Sequence, residues 1–445
     1  MSVKVAIRVR PFNEREKKLG SELCVKMSDK TVILTDSDGS TLRKYNYDYA
    51  IWSHDGYEAD MRGYLKKTDA MSKYWDQQKV YDEMGNELLV NAVKGYHCCL
   101  FAYGQTGSGK SYSIFGYGTN HGIVPMICNK MFDGTVLIQD EKREFTVNIS
   151  MLEIYNEKVQ DLLIDVKTRP KYGLKVHENP KIGVFVKNLS KYKVNSYEEI
   201  ENAINTGNKN KTIGSTLMND TSSRSHTVIK IEVRQKEKNL IKTIERYSCI
   251  NLVDLAGSEK VGKTGATGDR LKEACSINRS LMTLGIVIKQ LVKKQNGVKT
   301  IISYRDSVLT RILQNALGGN SKTTMICAIS PSRDNYAETM STLRYANEAK
   351  RIQNQAKVNE SEVDKMIREL QEENKRLKEL LKGMQVSGDK PTDTEMKNIL
   401  CQIEELDGAI RAKTGQGKAE DDDILDPNTQ KTKKMVDMFK KKNEP

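Results

Sequence analysis

Apolar and charged positions alternate near the start of the chain, with Val3, Val5, Ile7 and Val9 set against Lys4 and Arg8. A period of two predicts a strand, closed at Arg10-Pro11 because proline cannot donate to a central ladder. Residues 96–103 (YHCCLFAY) form an apolar run suited to a buried strand and too short for a globular helix. Val80, Met84, Leu88 and Ala92 fall at helical spacing and predict a helix over 77–93 that leads into that strand. Between them, residues 58–75 are polar and read as a long surface insertion. Further on, 147–154, 174–189, 227–233 and 247–254 read as strands, and 198–207 as a helix closed by Gly207. Strands alternating with helices predict an α/β fold with its ligand at the carboxyl ends of the strands.

Near residue 352 the pattern changes. Residues 353–362 are polar without periodicity and read as a linker. Val363, Ile367, Leu370, Asn374, Leu377, Leu381 and Met384 then alternate spacings of four and three. Such an a/d seam predicts a coiled coil over 363–386, with Asn374 at an a position favouring a parallel two-stranded register. Glu373 and Lys378 are placed to pair across the two helices. A seam of roughly three heptads predicts a weak, concentration-dependent homodimer. Met396, Ile399, Ile403, Leu406 and Ile410 repeat the spacing in a second short segment, 395–412, and the charged tail 413–445 reads as disordered.

Chemistry enters directly after the buried strand. Gly104, Gln105, Thr106, Gly107, Ser108, Gly109, Lys110 and Ser111 fit G-x-x-x-x-G-K-[ST] at every fixed position. Glycines let backbone N–H groups turn inward as an anion nest, and the helix that follows points its positive end at the same phosphates. Lys110 reaches the β- and γ-phosphates, and the Ser111 hydroxyl ligates Mg²⁺. A chance Gly-rich turn is the bland alternative; the strand before and the helix-compatible run after argue against it. Asp254 ends another apolar run and is placed to fix Mg²⁺ through water, while Gly257 offers a small N–H that touches a γ-phosphate and lets go. In the polar loop 219–226, Ser222 and Ser223 supply hydroxyls for water and Mg²⁺, and Arg224 and Glu259 have opposite charges suited to a gate. No nucleophilic side chain is required, because phosphoryl transfer to water rests on positioning and charge stabilisation. These loops predict a hydrolytic nucleotide switch.

The 445 residues carry a formal charge of +13, which suggests an acidic partner: nucleic acid, an anionic membrane or an acidic protein surface. Eight cysteines without C-x-x-C spacing read as reduced thiols, and five dispersed histidines do not suggest a metal centre. No apolar run approaches a membrane span and no signal-peptide pattern opens the chain, so a cytoplasmic or cytoskeletal protein is expected.

Taken together, 104–111, 219–226, 254–259 and the run 304–310 (YRDSVLT) resemble the kinesin motor domain over about residues 1–360. Trp52-Ser-His54, Val80-Tyr81, Met282-Thr-Leu-Gly285 and 365–370 (KMIREL) resemble the kinesin-3 class of vesicle transporters. The resemblance implies a P-loop motor over 1–352 with a central, mainly mixed sheet flanked by helices, a neck linker over 353–362 and a neck coiled coil. It implies ATP with Mg²⁺, Arg8, Arg10 and Pro11 on the adenine side, Tyr112 stacked on the base, and an Arg224–Glu259 salt bridge when the site closes. No Asn-Lys-x-Asp guanine signature is present, which also favours ATP. The long helix opened by residues 278–280 becomes a relay facing the microtubule. Lys260, Arg270, Lys272, Arg279, Lys293, Lys294, Arg305 and Arg311 become the set that meets the acidic tubulin surface, and that attraction is screened by salt. The implied function is a microtubule-stimulated ATPase moving cargo toward the plus end, with no nucleic-acid partner and no membrane insertion. The alternative on the same core is a microtubule length regulator or depolymerase. Three departures stand out. Residues 292–299 hold three lysines where the class commonly has a lysine-rich loop, only Met1 and Ser2 precede the first strand, and the 58–75 insertion has no assigned role. The short N-terminus predicts weakened docking of the linker.

Overall fold

The computed structural model describes residues 1–36, 42–137, 140–179, 183–218, 224–238, 243–259, 269–360, 362–386, 399 and 401–408. The chain divides into two units, one of residues 1–235 and 246–359, the other of 236–245 and 360 onward. Among the described residues, nine strands build one sheet: β1 (Lys4–Val9), β2 (Tyr49–Trp52), β3 (Cys98–Tyr103), β4 (Arg143–Tyr155), β5 (Lys158–Asp161), β6 (Tyr192–Val194), β7 (His226–Lys238), β8 (Thr243–Asp254) and β9 (Lys322–Ile329). Their order is β5-β4-β7-β8-β3-β9-β1-β2, with β6 on β4. The pairs β8–β3, β3–β9, β9–β1 and β1–β2 are parallel, while β4 pairs antiparallel with β5 and β6.

All of β3 is buried, which explains why it reads as a continuous apolar run: a parallel centre is covered on both faces. Its alternate residues divide the core. Cys98, Leu100 and Ala102 pack with the helical run 77–93 and with α1 (Lys110–Ile114), α2 (Ile123–Phe132) and α3 (Tyr197–Met218). Cys99, Phe101 and Tyr103 pack with α4 (Asp269–Gln295), α5 (Val308–Ile312) and α6 (Tyr336–Ala349). The P-loop therefore leaves the centre of the sheet at the carboxyl end of β3, clamped between two helical layers.

Two expectations change. The run 174–189 is not one strand but a hairpin, Val176–Asn179 with Gly183–Val186, its second strand opening at Gly183 with φ +74°. Helix α3 does not stop at Gly207; a Cβ there would strike the sulfur of Met151, a fully buried residue of β4, so the glycine permits close approach and is no cap. Residues 58–75 are largely exposed, as a surface insertion should be, and Leu65–Lys67 within it pairs with Tyr57–Ala59 as a hairpin. The segment after residue 352 is bonded to the first residues of the chain. Ser2 forms an antiparallel bridge with Gln353, and Asn354 N–H donates to Met1 O at 2.7 Å.

In the second unit, α7 (Glu362–Val386) is a helix over the range expected for the neck coil. Asn374 and Leu377 of its seam are buried, as is Ile403. Asn374 Nδ2 donates to Asp407 Oδ1 at 2.8 Å, and Lys378 lies 3.7 Å from the same carboxylate. Two residues of the neck helix, Asn374 and Lys378, thus meet Asp407 of the same chain. The tail 413–445 lies outside the described residues. Of the cysteines described, six are buried and Cys401 is exposed, and none of these is in a disulfide.

Gly207→Val should destabilise the protein by about 2 kcal/mol, since overpacking beside Met151 outweighs the gain in helix propensity. Urea unfolding of the two proteins checks it; an unchanged or raised midpoint contradicts the close-packing account.

Candidate nucleotide site and its output

Gly104 carries φ +147°, and a Cβ on it would strike the Ala328 carbonyl of β9. Glycine alone lets the chain leave β3 this close to its neighbour. The loop then turns into α1, where Lys110 is 8% exposed and its Nζ donates to the carbonyls of Gly104 (3.0 Å) and Gln105 (2.9 Å). Burial lowers the Lys110 pKa from its ordinary value, against the pull of Asp254 and Glu259. Ser111 Oγ donates to Asp254 Oδ2 at 2.6 Å, while Asp254 Oδ1 is buried without a hydrogen-bond partner among the described residues. A hydroxyl beside a carboxylate with a spare oxygen is an all-oxygen donor set, which suits Mg²⁺.

The loop after β8 folds back onto the P-loop. Ser258 N–H donates to Gly104 O at 3.1 Å. Glu259 Oε2 accepts from Thr106 N–H at 2.8 Å, and Oε1 from Thr106 Oγ1 at 2.5 Å. Gly257 sits under this bond, where any Cβ would meet Thr106 and the Glu259 carboxylate. The expected partner Arg224 is half-buried at the head of β7, and Glu259 is held by Thr106 here. Ser222, Ser223 and Lys260 lie outside the described residues.

His226 was not singled out by sequence, yet it joins three elements. It is 2% exposed; its Nδ1 accepts from Ala256 N–H at 3.0 Å, and its Nε2 lies 2.8 Å from Ser280 Oγ of α4. Because Nδ1 accepts, the ring proton sits on Nε2. Burial drives the His226 pKa down to about 3, so the ring stays neutral and the arrangement does not titrate near neutral pH. Its only sequence signal was a histidine between a polar loop and an apolar run.

On the adenine side the three motif residues divide. Arg8 is 3% exposed and bonded to Ser53, Gln77 and Ser113, with its guanidinium 5.1 Å from the Tyr112 ring centre. It supports Tyr112 from within. Arg10 donates to Gly107 O at 2.7 Å and grips Glu16 with both terminal nitrogens at 2.6 and 2.7 Å. Burial pushes the Glu16 carboxyl up, but Arg10, the Asn13 N–H and the Ser330 hydroxyl together hold the group below its ordinary value. Pro11 is half-buried beside it, and Tyr112 stacks with Tyr117 at a 6.0 Å centroid separation.

The output end lies across the fold. Helix α4 has 27 residues, about 40 Å of rise. At its end Gln295 exchanges two bonds with the main chain of Gln353, at 3.0 and 2.9 Å. The next residue, Asn354, is 5% exposed; it donates to Ala316 O, Ser321 O and Thr323 Oγ1 and accepts from Gly318 N–H. Asn359 closes the segment on the Gly95 carbonyl at 2.9 Å. Of the basic set, Arg279, Lys293, Lys294 and Arg305 are exposed, and Arg311 is half-buried. The side chains of Arg270 and Lys272, on α4, are outside the description. Arg305 and Arg311 line a groove of about 560 Å³ with His177 and Glu178, and Arg305 pairs with Glu178 at 3.1 Å.

Comparison with known proteins agrees with this arrangement. The family model of the kinesin motor domain matches residues 8–352. Kinesin-related protein 1 of Dictyostelium discoideum is 46% identical over 86% of this chain and 17% of its own length. Kinesin-like protein KIF13A of Mus musculus is 44% identical over 91% of this chain and 23% of its own. The chain thus spans about a fifth of these relatives. KIF13A and KIF1A, another relative, are members of the kinesin-3 class. Among solved structures, a KIF14 segment, a dimer in the two-heads-bound state with AMP-PNP in complex with a microtubule, aligns with a TM-score of 0.74 and 40% identity. That alignment covers 83% of this chain and 99% of the KIF14 chain. With its P-loop and the loop after β8 bonded together at the centre of the sheet, this chain belongs to the kinesin motor-domain family.

Proposed function

We propose that this chain is a microtubule-stimulated ATPase that converts ATP hydrolysis into plus-end-directed movement, with transport of cargo as its use. One observation carries the reading: an unbroken bonded path runs from the phosphate loop to the linker. Thr106 holds Glu259, the Glu259 loop holds His226 through Ala256, His226 meets Ser280 of α4, and α4 holds Gln353 at its far end. Lys110 exchanges its two carbonyl partners for phosphate oxygens, and the P-loop N–H groups orient the chain of phosphates. Ser111 and Asp254 hold Mg²⁺, which neutralises phosphate charge when bound. Ser222 and Ser223 position the attacking water. Arg224 takes Glu259 from Thr106 when the site closes. The exposed Arg279, Lys293, Lys294 and Arg305 face the acidic surface of tubulin, and binding weakens as salt rises. A docked linker is the output element that transport requires, which favours this reading over length regulation. No helix among the described residues is long and apolar enough to cross a membrane, and microtubule association places the protein on the cytoskeleton.

The neck supports a conditional homodimer. Asp407 and residues 399–408 compete with a partner for Asn374 and Lys378, so pairing follows release of that segment.

Lys110→Ala and Glu259→Ala should each lower microtubule-stimulated ATP turnover by roughly 10²-fold or more. Vigorous stimulated turnover in either variant contradicts the site assignment. Asn354→Ala leaves a buried N–H and two carbonyls without their partner, about 1–3 kcal/mol against docking. Gliding velocity should fall several-fold with turnover within twofold of the parent; undiminished velocity removes the linker from the output path. Ile403→Asp with Asp407→Ala should raise the dimer fraction in sedimentation at a fixed concentration, and an unchanged fraction rules out the competition.

A further inference from the structure

The 58–75 insertion is anchored at every turn, and its anchors lead to Tyr112. Its ends meet, since Ser72 Oγ donates to the Gly56 carbonyl at 2.6 Å. Asn120, 8% exposed in the turn beyond α1, accepts from Leu65 N–H at 2.9 Å and donates from Nδ2 to Gly63 O at 2.9 Å. Next to it, Thr119 Oγ1 donates to Arg62 O at 3.2 Å. The Tyr64 hydroxyl accepts from Gln78 N–H at 3.3 Å, and the Tyr57 ring lies 5.0 Å from that of Tyr74, which is 2% exposed. One more residue completes the path. Gln77, 2% exposed, donates to the main-chain carbonyl of Tyr112 at 2.7 Å, reaches the Asn120 carbonyl at 3.4 Å, and accepts from Arg8 at 2.7 Å.

We propose that this insertion is a brace for the nucleotide's base: it holds Tyr112 in place through Asn120 and Gln77, and so slows release of a bound nucleoside diphosphate. The proposal rests on the reading of Tyr112 as the stacking residue. Tyr112 lies in a helix of five residues, which has little stability of its own and breaks into the turn that Asn120 pins. A stacking ring contributes to affinity in proportion to how well it is preorganised, because a ring free to tilt must be ordered when the base arrives. Asn120 supplies the two bonds that tie the turn to the insertion's main chain. Gln77 and Arg8 fix Tyr112 from below, and Tyr74 packs the insertion against that same corner. Asn120 and the insertion are positioning elements; neither touches the phosphates.

The test uses the full 445-residue chain and a ribose-labelled fluorescent ADP, without microtubules. Three variants are compared with the parent: deletion of residues 57–71, joining Gly56 to Ser72, then Asn120→Ala, and Tyr112→Ala. All three should release the labelled ADP about fivefold faster, at the low end of what loss of a base–aromatic stack costs. The deletion and Asn120→Ala should bind microtubules in AMP-PNP within twofold of the parent. If Tyr112→Ala speeds release while the deletion and Asn120→Ala release at the parent rate, the insertion is no brace and the proposal falls. If Tyr112→Ala itself releases at the parent rate, the stacking reading is wrong and the proposal goes with it. If Asn120→Ala speeds release but loses AMP-PNP-dependent microtubule binding and melts early, its role is general stability, which also overturns the proposal. Where the deletion does not fold, Asn120→Ala decides.

Discussion

The bond between Glu259 and Thr106 is the constraint on which the nucleotide unit depends. It lays a carboxylate on a loop shaped for phosphate, with both oxygens engaged at 2.8 and 2.5 Å. A γ-phosphate brings more negative charge to the same loop. Like charges a few ångströms apart repel by about 4 kcal/mol at the screening typical of a protein surface, so carboxylate and phosphate compete. The contest decides where the loop after β8 sits. Gly257 makes both positions reachable, because any side chain there would fill the space the carboxylate now uses. In this reading the P-loop is the fixed wall, and Glu259 reports whether phosphate is present.

The report travels through rigid parts. Ala256 hangs on His226, which is neutral and buried, so its two bonds do not come and go with pH in the physiological range. His226 meets Ser280 near the middle of α4, and a 27-residue helix carries a small rotation to a distant end. At that end Gln295 pairs with Gln353, one residue before the buried Asn354. The linker's grip relies on a dense set of bonds around Asn354 more than on the length of the N-terminal strand. Ser2 and Met1 add a short bridge to a segment already held by Gly318, Ser321, Gly95 and Asn320.

Much of this was legible in the sequence where one local rule acts alone. The apolar run 96–103 and the spacing of Gly104, Gly109, Lys110 and Ser111 each follow from a single requirement, burial on both sheet faces and a cradle for phosphate. The α/β class and the meeting of Ser111 with Asp254 followed from those. What escaped needed three dimensions. Gly207 looks like a helix stop until Met151 of β4 is seen against it. The bond from Asn374 to Asp407, 33 residues later, follows from no local rule of spacing. His226, Asn120 and Gln77 are single polar residues whose partners lie far along the chain, and no periodicity marks them. Arg8 and Arg10 share one motif but divide into a buried support and a P-loop clamp, a distinction set by the neighbours Gln77 and Glu16.

The central claim is that nucleotide turnover in this chain drives directed motion on a microtubule. Gliding of polarity-marked microtubules over the surface-bound 445-residue chain tests it without depending on the oligomeric state. With ATP, the filaments should move steadily with their minus ends leading, and stop when ATP is withdrawn. Filaments that bind but stay still, shorten from their ends, or move with plus ends leading while ATP is consumed would contradict the account.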